Sequence, residues 1–184
     1  MKYLVLSILL LLLIPVTNTQ AQSIDKKYNS YFHFGLNGPR ENGVFNIEVE
    51  ENSKLKVFHK AIITPSFEVA DFGILGDEII KNIIIKFPPK VGLFELIESN
   101  NHNYVFTISV NGRTYMSKSV SVHITKLVKS SNPMQLDLVK GKFEGVMKHS
   151  FTEDRIEKEE TYTIYGDFQY ISPKYQKKLK KKKK

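Results

Sequence analysis

Beyond residue 30 the chain is dominated by period-two alternation of apolar and polar positions, and no segment there carries a 3.6-residue apolar stripe over three turns. That pattern predicts strands. Tyr31-Phe32-His33-Phe34 reads as a short aromatic strand closed by Gly35 and the Asn37-Gly38-Pro39 turn cluster. From Val44, the residues Phe45, Ile47 and Val49 alternate with Asn46, Glu48 and Glu50, as in a half-buried antiparallel strand. Leu55 to Ile63 follows and stops at Pro65. Phe67 and Val69 could begin another strand, whereas Asp71, Gly73, Gly76 and Asp77 read as loop. Ile79 to Phe87 is apolar on both parities, which predicts a central strand covered on both sides or a short helix. Pro88-Pro89 ends it, since neither residue can donate to a ladder. Leu93 to Ile97 is a brief strand before a polar loop, Ser99 to Asn103.

Tyr104, Phe106, Ile108 and Val110 share one face of the next strand, and Asn111-Gly112 supplies a two-residue hairpin because both central positions of a type I′ turn need positive φ. That loop pairs Val110 with Arg113 and Ile108 with Tyr115. Further on, Val120, Val122 and Ile124 are even-numbered where Tyr115 is odd, so a bulge or break is expected between Met116 and Ser119. In the last third, Phe143, Gly145, Met147, His149 and Phe151 share one face, as do Tyr162, Ile164, Gly166, Phe168 and Tyr170. A turn centred on Arg155 and Ile156 would set Phe143 opposite Phe168, Gly145 opposite Gly166 and Met147 opposite Ile164. The facing glycines would leave a notch for an aromatic ring from another strand. The same register opposes Glu144 to Asp167, an unfavourable like-charge pair, which leaves a two-residue shift open.

Gly141-Lys142-Phe143-Glu144-Gly145-Val146-Met147 followed by Ile164-Tyr165-Gly166-Asp167-Phe168 resembles the closing strands of small, uncharacterised secreted or periplasmic β-sandwich proteins of Gram-negative bacteria. The resemblance covers the last third of the chain and implies fold and compartment, with no activity, cofactor or catalytic residue. Members often carry a lipid on a cysteine after the leader, and this chain has no cysteine. Nine or ten short strands without helical crossovers predict an all-β fold, a two-layer antiparallel β-sandwich with Ig-like packing. A closed lipocalin-like β-barrel is the alternative.

Residues 1–21 read as a signal peptide: Lys2 is the positive start, Leu4 to Ile14 is an apolar run ended by Pro15, and Thr19-Gln20-Ala21 places small residues at a cleavage site near Ala21. The run is too short for a spanning helix, which needs about 20 residues, and no transmembrane segment is expected in the mature chain. The expected organisation is a leader, one domain over 22–173 and a disordered poly-lysine tail over 174–184, in a periplasmic or secreted location. Charge changes this picture only at the tail. The 184 residues carry 27 Lys plus Arg against 19 Asp plus Glu, and setting aside Lys2 and the eight lysines from Lys174 onward leaves 18 against 19. A near-neutral domain excludes specific nucleic-acid binding as its theme. The tail lysines Lys177, Lys178, Lys180, Lys181, Lys182, Lys183 and Lys184 are candidate contacts for anionic components of the envelope, acting by charge density alone.

The absence of cysteine removes disulfides, thiolate metal sites and Cys nucleophiles. No G-x-S-x-G, S-x-x-K, H-E-x-x-H or phosphate-cradling glycine loop occurs, and no catalytic residue, cofactor or metal ligand set is expected. His33, His59, His102, His123 and His149 are not spaced as ligand pairs, and His102 in its Asn-rich loop is the most site-like of them. Glu50-Glu51, Glu153-Asp154 and Glu159-Glu160 read as solvated turn charge rather than paired acids across a cleft. Tyr165, on the strand face opposite Phe168, is the candidate aromatic platform. These features suit a non-enzymatic binding or structural module at the cell envelope. An apolar-ligand or glycan carrier is the alternative, and a hydrolase built around His102 a further one.

Overall fold

The alternation and turn residues produce ten strands and one helix in the computed structural model, which describes residues 29–48, 58–64, 69–75, 79–97 and 104–181. The leader, the loop holding His102, the pair Glu50-Glu51 and Lys182–Lys184 lie outside the described residues, as does the side chain of His59. The strands are β1 (Tyr31–Asn37), β2 (Asn42–Glu48), β3 (Phe58–Thr64), β4 (Val69–Leu75), β5 (Ile80–Phe87), β6 (Gly92–Ile97), β7 (Val105–Val110), β8 (Arg113–Lys129), β9 (Leu136–Glu153) and β10 (Ile156–Ile171). Helix α1 spans Pro173–Lys181. Asp71 and Gly73, expected in a loop, lie inside β4, which is paired on both sides by β3 and β5. Ladder pairing outweighed their turn preference.

All pairings are antiparallel, in the order β2-β1-β10-β9-β8-β7-β5-β4-β3, with β6 on the C-terminal half of β8. The two layers come from one continuous sheet bent over on itself. β1 and β7 are four strand positions apart, about 19 Å across a flat sheet at the usual spacing, yet the rings of Phe32 and Phe106 lie 6.3 Å apart. The hinge strand is β8, whose N-terminal half pairs with β7 and C-terminal half with β6. Its register against β9 shifts between Ser117 and Ser119, where the parity of the apolar residues changes, and again between Ile124 and Lys126. Bulges bend the strand that carries them. Because of the first, Tyr115 and Ser117 on one parity and Val120, Val122 and Ile124 on the other are all buried. A similar shift between Ile80 and Asn82 explains the two-parity run of β5, where Ile80 and then Ile83, Ile85 and Phe87 are buried.

The sheet does not close into a barrel, and the lipocalin-like alternative is not formed. Among the described residues, edge strand β3 meets the segment just before β9 through an isolated bridge, Ile62 to Gln135, and an Ile63 N to Met134 O bond of 3.0 Å. Between the layers, Phe143 touches Phe32 (5.2 Å) and Phe106 (4.8 Å), and Phe32 stacks on Phe168 (5.8 Å). The interior is filled by rings, as close packing demands.

The Asn111-Gly112 hairpin pairs Val110 with Arg113 and Ile108 with Tyr115, as expected. The β9–β10 hairpin takes the register two residues away from the one centred on Arg155 and Ile156. Its turn is Asp154-Arg155, at φ 53° and 63°, since a β-branched Ile at a positive-φ position would be a severe strain. Phe143 therefore faces Gly166, Phe168 faces Gly141, and Asp167 faces Lys142 instead of Glu144. The like-charge pair is relieved, and each of these two glycines sits beside a ring, so no glycine-to-glycine notch exists.

The lysine-rich end, expected as a disordered tail from residue 174, is helical through Lys181. Pro173 occupies the first helical position. The Tyr175 amide donates to Ser172 Oγ (3.2 Å), whose hydroxyl in turn donates to Asp137 Oδ1 (2.8 Å). That anchored cap satisfies a donor of the first turn that has no intrahelical partner, and so offsets the repulsion among the lysines. Among the described residues no helix is long and apolar enough to cross a membrane.

Candidate functional site

Alternation along β10 sends Ile164, Gly166 and Phe168 inward and Tyr165 and Asp167 to the outer face. Tyr165 faces Glu144 of β9 on one side and Gly35 of β1 on the other. Its ring lies over that glycine: a Cβ built on Gly35 would stand 2.3 Å from Tyr165 Cζ. The bare backbone of Gly35 lets the ring approach the sheet closely while half of the residue (50%) stays exposed. Beside it opens a groove of about 510 Å³ lined by Tyr165, Leu93, Ser121, His123, Lys142, Glu144 and Asp167. Leu93 of β6 is 65% exposed and forms an apolar wall. Ser121 Oγ donates to Glu95 Oε1 at 2.5 Å.

The groove floor continues into a polar cluster on β1 and β2. His33 lies between Asp167 (3.7 Å from Nδ1) and Glu48 (3.6 Å from Nε2), and Tyr31 stacks on it with ring centroids 4.6 Å apart. Burial, then the hydrogen bond to Asp167, push the Tyr31 hydroxyl up to about 12. Aromatic platform, acceptor carboxylates, one ammonium and an imidazole thus converge on a shallow open surface. This arrangement can stack on one face of a ring-shaped ligand and hydrogen-bond its rim.

The other candidates fall elsewhere. His149 lies at the far end of the sheet, its Nδ1–H donating to Thr114 O (2.9 Å) and its ring stacked on Phe151. Of the acidic doublets, Glu159-Glu160 and the Glu153 of Glu153-Asp154 are engaged rather than merely solvated. Glu160 accepts from Tyr162 (2.7 Å) and Arg40 (2.8 Å), Glu159 pairs with Lys118 (2.8 Å) and Lys148 (3.4 Å), and Glu153 pairs with Lys158. These bonds hold the carboxyls of Glu159, chiefly through Lys118, and of Glu160, chiefly through Tyr162, below the usual range. Among the described residues no group of three or more His, Asp or Glu is placed to hold a metal ion. His123 is part of the groove, a role the strand pattern did not single out; its cross-strand neighbours Leu93 and Lys142 became visible only with the β6–β8–β9 register.

Tyr162 is pushed up to about 12 by burial first and the Glu160 carboxylate second. Both Tyr31 and Tyr162 bind their protons more tightly folded than unfolded, where tyrosine titrates near 10. Their contribution to stability is therefore complete below pH 10 and is lost as the pH rises from there through about 12. In a spectrophotometric titration at alkaline pH, Tyr162→Phe is expected to remove one equivalent from the wave near pH 12. An unchanged late wave would refute the assignment.

Comparison with known proteins found no matching family model, no matching curated protein and no matching solved structure.

Proposed function

We propose that this chain is an exported, non-enzymatic binding module of the cell envelope, and that its ligand is a saccharide held on the outer sheet face at Tyr165. The single observation that carries the reading is the Tyr165 ring, lying over Gly35 and exposed beside a groove rimmed by Ser121, His123, Lys142, Glu144 and Asp167. Sugar rings present apolar C–H faces to such a platform and hydroxyl donors to carboxylates. Phe32, Phe106, Phe143 and Phe168 fill the space between the layers, which favours a ligand on the outside over an apolar guest within. Export is supported by the leader-like pattern of Lys2, Leu4 to Ile14 and Ala21 and by the resemblance of the closing strands to secreted β-sandwich proteins.

Affinity electrophoresis through gels carrying a panel of soluble neutral and acidic polysaccharides tests the groove. The expected result is retardation by at least one polymer and about tenfold weaker retardation of Tyr165→Ala, the loss of a stacking contact of roughly 1–2 kcal/mol. Retardation by none, or equal retardation of the variant, would overturn the reading.

A further inference from the structure

The folded domain is close to neutral in sum, yet the fold sorts its charges. Near the β9–β10 turn five basic side chains have carboxylate partners, Arg40 with Glu160, Arg113 with Glu41, Lys118 and Lys148 with Glu159, and Lys158 with Glu153, although Arg155 in the turn itself has none among the described residues. Toward the opposite end a row of lysines on β8 and β9 has none. Lys126 and Lys140 stand directly across the β8–β9 ladder from one another, both exposed. Leu127 and Val139, their neighbours, pack in the core, so both lysines point to the outer face. Like charges in such positions repel and destabilise the sheet. Lys142, two residues along β9 and about 7 Å further, continues the row on the same face to the lip of the Tyr165 groove. Among the described residues, none of these three lysines forms an ion pair. The carboxylate opposite Lys142, Asp167, is already held by Tyr31 and His33.

Helix α1 adds further lysines at the same end of the sheet. Lys174, Lys177, Lys178 and Lys181 recur at helical spacing and are all exposed. The helix is pinned to the same end of the sheet by Gln176 Nε2 to Asn29 Oδ1 (3.3 Å) and Lys174 Nζ to Ser131 Oγ (3.4 Å). Resting on the saccharide reading of the groove, we infer that the ligand is a linear acidic polysaccharide, whose chain follows Lys126, Lys140 and Lys142 into the Tyr165 groove while α1 holds its flank. An anion between the opposed lysines would remove their repulsion. A line of charge ending at a ring fits a chain, whereas bilayer headgroups lie in a plane. The groove's acceptors, Glu144 and Asp167, match the hydroxyls that a sugar presents around its ring.

The test uses the mature chain and polygalacturonate as probe over a salt series, with neutral dextran, anionic phosphatidylglycerol vesicles and oligodeoxythymidylate in parallel. Wild-type protein is expected to prefer polygalacturonate. Combined Lys126→Gln, Lys140→Gln and Lys142→Gln substitution should weaken binding at least about tenfold and flatten the salt dependence by about two in the log–log slope, at roughly 0.7 per charge removed. Its melting temperature should equal or exceed that of wild type, because a repulsive pair is gone. Removing residues 174–184 should weaken binding without abolishing it. The inference is overturned if the triple variant binds polygalacturonate as wild type does, if removal of 174–184 alone abolishes binding, or if vesicles or the oligonucleotide bind as tightly at equal salt. Tyr165→Ala reads the groove separately: if it has no effect on any polymer while the triple variant does, the saccharide platform fails and the lysine row alone stands.

Discussion

Phe143→Ala should lower stability by about 3–5 kcal/mol, the usual range for emptying a buried phenylalanine site, and depress the melting temperature by roughly 10 °C for a domain of this size. Phe143 stands where both layers and three strands meet. Its ring contacts Phe32 of β1, Phe106 of β7 and, at 6.3 Å, Phe168 of β10, and it covers the face of Gly166. Removing it opens a hole whose walls are aromatic rings held from several directions, which cannot collapse inward together. Thermal melts followed by circular dichroism measure the effect, with Phe143→Leu as the milder comparison. A melting temperature for the alanine variant within about 2 °C of wild type would show that the layers are not held together at this point.

Gly145→Ala is the second large effect, for a reason that has nothing to do with burial of apolar area. Gly145 has φ +153° and lies opposite Val120, beside the bulge that bends β8. A Cβ there would stand 2.2 Å from Ser119 O and 2.7 Å from Val120 Cα. Both are backbone atoms, so relief requires the bulge itself to move. Adding about 1–3 kcal/mol for the disfavoured dihedral to a similar overpacking term gives a loss of roughly 2–6 kcal/mol. Gly112→Ala is the control. It also has positive φ (77°), but its Cβ would meet nothing within 4 Å, and its cost should stay near 1–2 kcal/mol. Equal melting temperatures for the two variants would contradict the close approach at Ser119.

Tyr165 and Gly35 show how far local pattern reaches toward the site. Alternation alone assigns Tyr165 to the face opposite Phe168. It does not reveal that a glycine from a strand 130 residues earlier lies beneath the ring, because that contact depends on β1 pairing with β10. His123 and Leu93 were hidden in the same way: β6 reaches the groove only by pairing with the second half of β8. The β9–β10 register is an intermediate case. The like-charge conflict between Glu144 and Asp167 already marked one register as strained, and the preference of Ile156 against positive φ decides for the other.

Local chemistry by itself determined the strand-forming character of the chain, the Asn111-Gly112 hairpin with its two pairings, and the bulge before Ser119, because each is set by side-chain alternation or by the φ requirements of two adjacent residues. Only the tertiary structure decided that a single sheet bends double through β8, that Asp71 and Gly73 are strand, that the lysines after Ser172 start as a capped helix, and that Lys126, Lys140 and Lys142 line up on one face. Those outcomes depend on which distant strands become neighbours. Long-range pairing energies of many residues outweigh the preference of any one of them.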